Sequence, residues 1–255
     1  MFQTLLRALA ASTLLLLTAP LPATAQMTPA QRGEVEAVIK DYLLNNPEIL
    51  RDAFVELERR QKAEEEQARI KAISELSGLI FNAPKQAVFG NPNGKVTLVE
   101  FFDYNCGYCK RAMDDIAALM KEDKDLRFVL KDFPVLGPGS VEAAEVAIAM
   151  LNHASGEKYW QFHAKLLNSR GQIGKAQAMA VAKELGVDMA RLEKDVASPQ
   201  TRAVLQDIMK IADRLQLSGT PTFILADEVI VGAVGRDQLR QRIANVRKCG
   251  KTACG

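Results

Sequence analysis

The sequence predicts an α/β fold: a mixed sheet with helices on its faces, an inserted all-helical domain and an N-terminal helical extension. Three observations predict it. Two strand-like runs, Val96–Phe102 and residues 126–133, flank a segment at 110–120 whose apolar positions recur at helical spacing, the pattern of a right-handed parallel crossover. Residues 140–215 keep a helical pattern, broken at Gly156, Gly171, Gly186 and Pro199. Two short strand-like runs, 222–225 and 229–234, then lie close enough to form an antiparallel hairpin, followed by a last amphipathic helix at 237–246 that uses Leu239 and Ile243.

Taken in order, the first 25 residues stand apart from this fold. Arg7 supplies a basic start, residues 14–17 an apolar centre, and Ala23-Thr24-Ala25 a small-residue cleavage site, which together read as a secretory signal peptide cleaved near Ala25. An uncleaved anchor is the rival reading, against which the stretch 8–21 is short for a span and interrupted by Pro20. The remaining chain of about 230 residues is close to neutral, and nothing in that balance points to nucleic acid. With 48% hydrophobic residues and only four cysteines, the fold must rest on an apolar core rather than on disulfide staples.

Thr28-Pro29 is a cap followed by an N1 proline, and Val35, Val38, Ile39, Tyr42 and Leu43 mark one face of a first helix. Asn46-Pro47 repeats the signal and starts a second, with Ile49, Leu50, Ala53, Phe54 and Leu57 on one side, running to about Leu79. Residues 58–69 lack an apolar stripe and would stand in solvent. The extension, 26–81, is then either a stalk joining an oligomerisation segment at 29–57 to the catalytic domain or an arm folded back on that domain. Asn82-Ala83-Pro84 ends it, and 86–89 is a short edge strand. Residues 134–139 form a turn. Helices follow at 140–153, 155–168, 172–185, 188–196 and 199–215, with Ser140 and Ser198-Pro199 as starts. Trp160, Phe162 and Leu166 read as core, and His153 and His163 as structural or surface residues.

The chemistry sits at Cys106-Gly107-Tyr108-Cys109, between the strand at 96–102 and the helix after it. Unpaired N–H groups and the positive helix end stabilise a thiolate at Cys106, and the two-residue spacing lets Cys109 resolve a mixed disulfide. Half a zinc site and two inert core thiols are the alternatives. Zinc would need more ligands than His153, His163 and two cysteines about 140 residues away supply. Gly107 and Tyr108 tune the surroundings of Cys106, and Lys110 or Arg111 adds charge or is simply solvated. Glu100 either faces the interior beneath the motif, where a carboxylate can pass a proton to Cys109, or is a salt-bridged or solvent-facing residue. Cys249 and Cys254, in a short basic tail at 248–255, read first as a local disulfide across Gly250, with an accessory redox pair or a thiolate site for Cu(I) as alternatives. No cofactor and no metal is assigned.

The stretches Phe101-Phe102-Asp103-Tyr104-Asn105-Cys106-Gly107-Tyr108-Cys109, Phe133-Pro134-Val135-Leu136-Gly137 and Gly219-Thr220-Pro221-Thr222-Phe223, in that order over about residues 82–247, resemble the thioredoxin superfamily, and within it the exported DsbA-like oxidoreductases with a helical insertion, here 139–217. The resemblance implies a thioredoxin-like mixed sheet and a cis Thr220-Pro221 bond beside the cysteines, where the backbone of Thr220 binds an extended substrate. It also implies a periplasmic location, with unfolded or misoxidised exported proteins and a membrane redox partner as partners. The Gly-Tyr dipeptide and Thr220 look like those of the exported isomerases. The long helical extension is similar to that of the suppressor of copper sensitivity C type, which implies a homo-oligomer through the N-terminal helices. The expectation is a disulfide isomerase or reductase; the alternatives are a disulfide-donating oxidase and, in another class, a copper-binding or substrate-binding protein.

Overall fold

The computed structural model describes residues 27–254, so the expected leader at 1–25 lies outside the described residues. The chain divides into two compact units, Met1–Arg59 and Arg60–Gly255. In the first, helix α1 (Pro29–Asn45) starts as the sequence directs: Thr28 and Gln31 bond each other's backbone N–H in a capping box, and Pro29 needs no N–H partner at that position. No residue of α1 is buried. Val35, Val38, Ile39, Tyr42 and Leu44 stay exposed, as do Leu50, Phe54, Val55 and Leu57 in the first part of α2 (Glu48–Glu75).

In the second unit α2 stops at Glu75, short of Leu79, and a separate short helix α3 (Ser77–Phe81) follows. The end of α3 is held from a distance. Lys131 donates to the Leu79 carbonyl at 2.8 Å and Arg127 to the Phe81 carbonyl at 2.8 Å, taking helix-end acceptors that have no partner within the helix.

The sheet contains β1 (Ala87–Gly90), β2 (Val96–Phe102), β3 (Leu126–Asp132), β4 (Thr222–Leu225) and β5 (Glu228–Val231) in the order β1-β3-β2-β4-β5. Only β2 and β3 pair in parallel, joined by α4 (Gly107–Glu122); the other neighbours are antiparallel. Alternation along β2 divides the core. Leu98 and Phe102 pack with α4, α6 (Gly156–Leu167) and the last helix, α10 (Arg236–Cys249), while Val99 and Phe101 pack with α3 and α9 (Pro199–Arg214). Helix α5 (Pro138–Met150) serves both clusters, Val146 and Ala147 in one and Ala144 and Ile148 in the other, which explains why its apolar residues spread over more than one face. Helices α7 (Lys175–Glu184) and α8 (Met189–Val196) complete the insertion. The predicted α/β mixed sheet with inserted and flanking helices is the observed one.

Several boundaries differ from expectation for local reasons. Helix α5 begins at Pro138 with Gly137 as its cap, so Ser140 does not cap it; its hydroxyl is engaged elsewhere. Helix α7 begins at Lys175, leaving 172–174 as a loop. Strand β5 ends at Val231 because Gly232, at φ +88°, turns the chain and donates to the Pro221 carbonyl at 2.8 Å. Helix α10 runs to Cys249, so that cysteine closes a helix instead of lying in a free tail, and Gly250 at φ +77° makes the left-handed cap.

Candidate active site

Strand β2 delivers the chain at Phe102 to a tight turn, Asp103-Tyr104-Asn105, in which the Cys106 N–H donates to the Asp103 carbonyl at 3.0 Å. Cys106 is then the N-cap of α4. The rest of the motif follows helical geometry. Cys109, Ala112, Met113 and Ile116 fall at i, i+3, i+4 and i+7 and are all buried, so Cys109 is carried inward by the apolar stripe of its own helix. Cys106 lies one residue before the helix and keeps 7% of its surface accessible, against none for Cys109. Both sulfurs are free thiols.

That difference in placement separates their acidities. The Cys109 side chain, as hydrogen-bond donor, is the largest influence on Cys106; Thr220 and the backbone N–H groups of Cys109 and Tyr108 add to it and outweigh burial, so the Cys106 thiol is lowered to about 5. Burial first, and then the bond to Cys106 and the charge of Glu100, push Cys109 far up. One sulfur is a thiolate at neutral pH and the other a thiol. Thr220-Pro221 is cis and sits directly over Cys106: in its protonated form the Cys106 thiol donates to the Thr220 carbonyl at 3.1 Å.

Glu100 is 3% exposed and shares the α4 face of the sheet with Leu98 and Phe102. Burial, followed by the Cys106 charge, raises it to about 8. The interior position, not the solvent-facing one, is therefore the observed one, and Glu100 is electrostatically coupled to both cysteines. Tyr108 is exposed, with the Arg111 guanidinium 4.2 Å over its ring, while Lys110 donates to the Asn168 carbonyl at 3.2 Å and so faces the insertion. A Cβ at Gly107 would meet nothing within 4 Å, so space alone does not demand glycine there.

Residues that sequence reasoning passed over surround the motif. Asp103, treated as a connector, is buried and accepts from the Asn105 N–H (2.8 Å), the Ser140 hydroxyl (2.7 Å) and the Val135 and Leu136 N–H groups (2.9 Å each). Asn105 donates to the Ile173 carbonyl and accepts from the Ile173 N–H. The available signal was an Asp and an Asn in the turn before a cysteine, residues whose side chains bond nearby backbone. His163 is buried among Phe102, Tyr104 and Trp160, with burial holding it down at about 3, so it stays neutral. His153 is not a free surface residue: its ring meets Asp195 at 2.8 Å. Asp132, at the end of β3, is buried and raised to about 8 by burial first.

Cys249 and Cys254 are joined as a disulfide. Arg247, beside Cys249, binds Asp123 at the C-terminal cap of α4. Since Cys106 caps the other end of that 16-residue helix, the second disulfide lies on the order of 24 Å from the first sulfur pair, too far for direct exchange between them within one chain. Among the described residues no three His, Cys, Asp or Glu side chains converge as a metal site.

A parallel β2-α4-β3 unit, an antiparallel hairpin, a Cys-x-x-Cys pair at the helix start and a cis proline facing the first sulfur define a dithiol protein on a thioredoxin-type fold. A family model described as thioredoxin matches residues 82–245, and the chain belongs to that family. The N-terminal domain of the copper resistance protein ScsC matches residues 31–64. A thioredoxin-like oxidoreductase from Silicibacter pomeroyi is 37% identical, with 68% of this chain and 98% of that one covered at a TM-score of 0.64. Proteus mirabilis ScsC in a transitional conformation is 26% identical, covering 86% and 100% at 0.62. A periplasmic thioredoxin-like protein from Salmonella enterica serovar Typhimurium is 26% identical, covering 68% and 94% at 0.58. A Na(+)/H(+) antiporter NhaA 1 of Salinispora arenicola is 29% identical over 140 residues, and the chain spans about a fifth of the length of that relative (21%). The expected membership of the DsbA-like oxidoreductases with a helical insertion is thus met.

Proposed function

We propose that this protein exchanges disulfides with exported polypeptides in the periplasm, chiefly as an isomerase or reductase. The observation that carries the exchange chemistry is the division of labour between the two sulfurs, one lowered to about 5 and one driven up by burial, with the Thr220 carbonyl directly over the first. The Cys106 thiolate attacks a substrate disulfide, forming a mixed disulfide and releasing one substrate thiolate. In isomerisation a different thiolate of the same substrate attacks the mixed disulfide, forming a new pairing and freeing Cys106, whereas return of the released thiolate only restores the original bond. In reduction Cys109 gives up its proton, attacks the Cys106 sulfur and releases the second substrate thiolate, leaving Cys106 and Cys109 oxidised. Glu100 takes that proton, and returns it when a Cys109 thiolate leaves in the reverse direction. An extended substrate strand beside Thr220 and Pro221 positions the disulfide, and a membrane redox partner resets the pair.

The exposed apolar residues of α1 and the start of α2 support the isomerase reading. They are a surface for self-association, which would place several Cys106 sulfurs around one misfolded substrate. The lowered Cys106 favours a second reading, disulfide donation, because a stable thiolate makes the oxidised form a stronger oxidant. Recovery of scrambled ribonuclease set against oxidation of the reduced enzyme separates the two. Scrambled-substrate recovery is expected, and oxidation without isomerisation would overturn the first reading.

A further inference from the structure

The turn that carries Cys106 is bonded to three segments distant in sequence, all through Asp103 and Asn105. Asp103 takes the adjacent N–H groups of Val135 and Leu136, and also the hydroxyl of Ser140 in the first turn of α5. Four donors on two oxygens use the whole accepting capacity of the side chain, and the group is 2% exposed. Asn105 pairs with both backbone groups of Ile173, at 2.7 and 2.9 Å, as a neighbouring strand would, and reaches Ser140 Oγ at 2.9 Å. The junction is closely packed: a Cβ at Gly139 would lie 2.8 Å from the Ile173 carbonyl oxygen. The start of the insertion, the loop before α7 and the loop after β3 therefore meet at the turn that ends in the reactive sulfur. On that last loop the side chains of Val135 and Leu136 are 42% and 51% exposed, while their N–H groups are fixed beneath.

We infer that Asp103 and Asn105 are positioning residues for polypeptide exchange: they hold the Val135-Leu136 loop and the 172–174 loop in register with Cys106, so that apolar side chains of a bound polypeptide meet a fixed surface next to the sulfur. The inference rests on the proposed exchange with polypeptides. Neither side chain bonds a reacting sulfur; only the backbone of Asp103 reaches one, at Cys109. Their loss loosens the surface, and the effect falls on substrate binding before it falls on the sulfur chemistry.

Asn105→Ala deletes both bonds to Ile173; Asn105→Asp keeps the shape but sets an oxygen against the Ile173 carbonyl. Ser140→Ala removes one donor to Asp103 and serves as an independent variant at the same junction. With the full chain and scrambled ribonuclease as substrate, all three should raise KM roughly three- to tenfold; in Asn105→Ala and Ser140→Ala kcat stays nearly constant and the Cys106 thiolate absorbance titrates as in wild type, while the added carboxylate of Asn105→Asp also moves that titration upward. An unchanged KM in Asn105→Ala and Ser140→Ala would overturn the inference, as would a fall in kcat accompanied by a shifted thiolate titration in these two, which would place the network in the chemistry of the sulfur itself. If the wild-type protein reacts with small disulfides but not with scrambled ribonuclease, the proposed function fails and the inference falls with it, a result distinct from wild-type turnover that the variants leave untouched.

Discussion

The Cys106 thiolate should depend on the donor atom at residue 109 more than on the shape of that side chain. The side chain of Cys109 is the largest influence holding Cys106 at about 5. Cys109→Ser keeps a donor and Cys109→Ala deletes it, and each leaves Cys106 as the only thiol of the motif. A hydrogen bond to a charged group is worth about 1.5–3 kcal/mol and a pKa unit about 1.4 kcal/mol, so Cys109→Ala should raise the Cys106 midpoint by roughly one to two units while Cys109→Ser stays near wild type. The assay is thiolate ultraviolet absorbance against pH, paired with the rate of reaction with a small disulfide. Because the folded-state value is depressed from 9.0, the thiolate's contribution to the reduced protein is complete above 9.0 and is lost as pH falls through about 5. Near neutral pH it amounts to about 3 kcal/mol, or about 60 mV toward the oxidising side in the potential of the pair. Equal midpoints in the two variants would refute Cys109 as the donor, and a wild-type midpoint close to that of a free thiol would refute the whole account of the site.

Other outcomes follow from the same geometry. Glu100→Gln removes the group raised to about 8, so turnover should slow by roughly tenfold or more and lose its pH dependence around that value; an unchanged profile excludes Glu100 from proton transfer. Ile39→Glu with Phe54→Glu puts charge on the exposed apolar face of the N-terminal helices and should yield a monomer by light scattering where the wild-type chain is larger, whereas a monomeric wild type refutes self-association there. Replacing Cys249 and Cys254 together by serine should lower stability by about 2 kcal/mol in denaturant unfolding and leave exchange rates within about twofold, given the roughly 24 Å separation; a large loss of activity would tie that disulfide to the reaction.

The fold was legible where periodicity changes. Val96–Phe102 gives way to helical spacing at the cysteines, so the motif's junction and the buried side of Cys109 both follow from local pattern. Glu100 shares the two-residue period of Leu98 and Phe102, but in a strand that is apolar on both faces this left an interior acid and a salt-bridged or solvent-facing one equally open. What was not legible depends on partners far along the chain. The donors to Asp103 lie at 135, 136 and 140, and Ser140 looks in sequence like any helix cap. The end of α3 is likewise held by Lys131 and Arg127 of β3, some fifty residues along the chain, although Ser77-Gly78 after Leu76 was a local signal for the break before it.

The acidity of Cys106 does not by itself choose the direction of exchange. A stable thiolate drives disulfide donation by the oxidised pair, yet it also keeps an attacking sulfur available in a resting isomerase, and about 60 mV acts equally in both settings. The choice rests on features outside the sulfur pair: which partner resets Cys106 and Cys109, and whether a substrate meets one sulfur or several before it leaves. The exposed side chains from Val35 to Leu57 bear on the second of these. If the charged arm variant keeps the Cys106 titration and the oxidation of reduced ribonuclease but loses recovery of the scrambled enzyme, the direction is set by assembly; if all three persist, it is set within the catalytic unit alone.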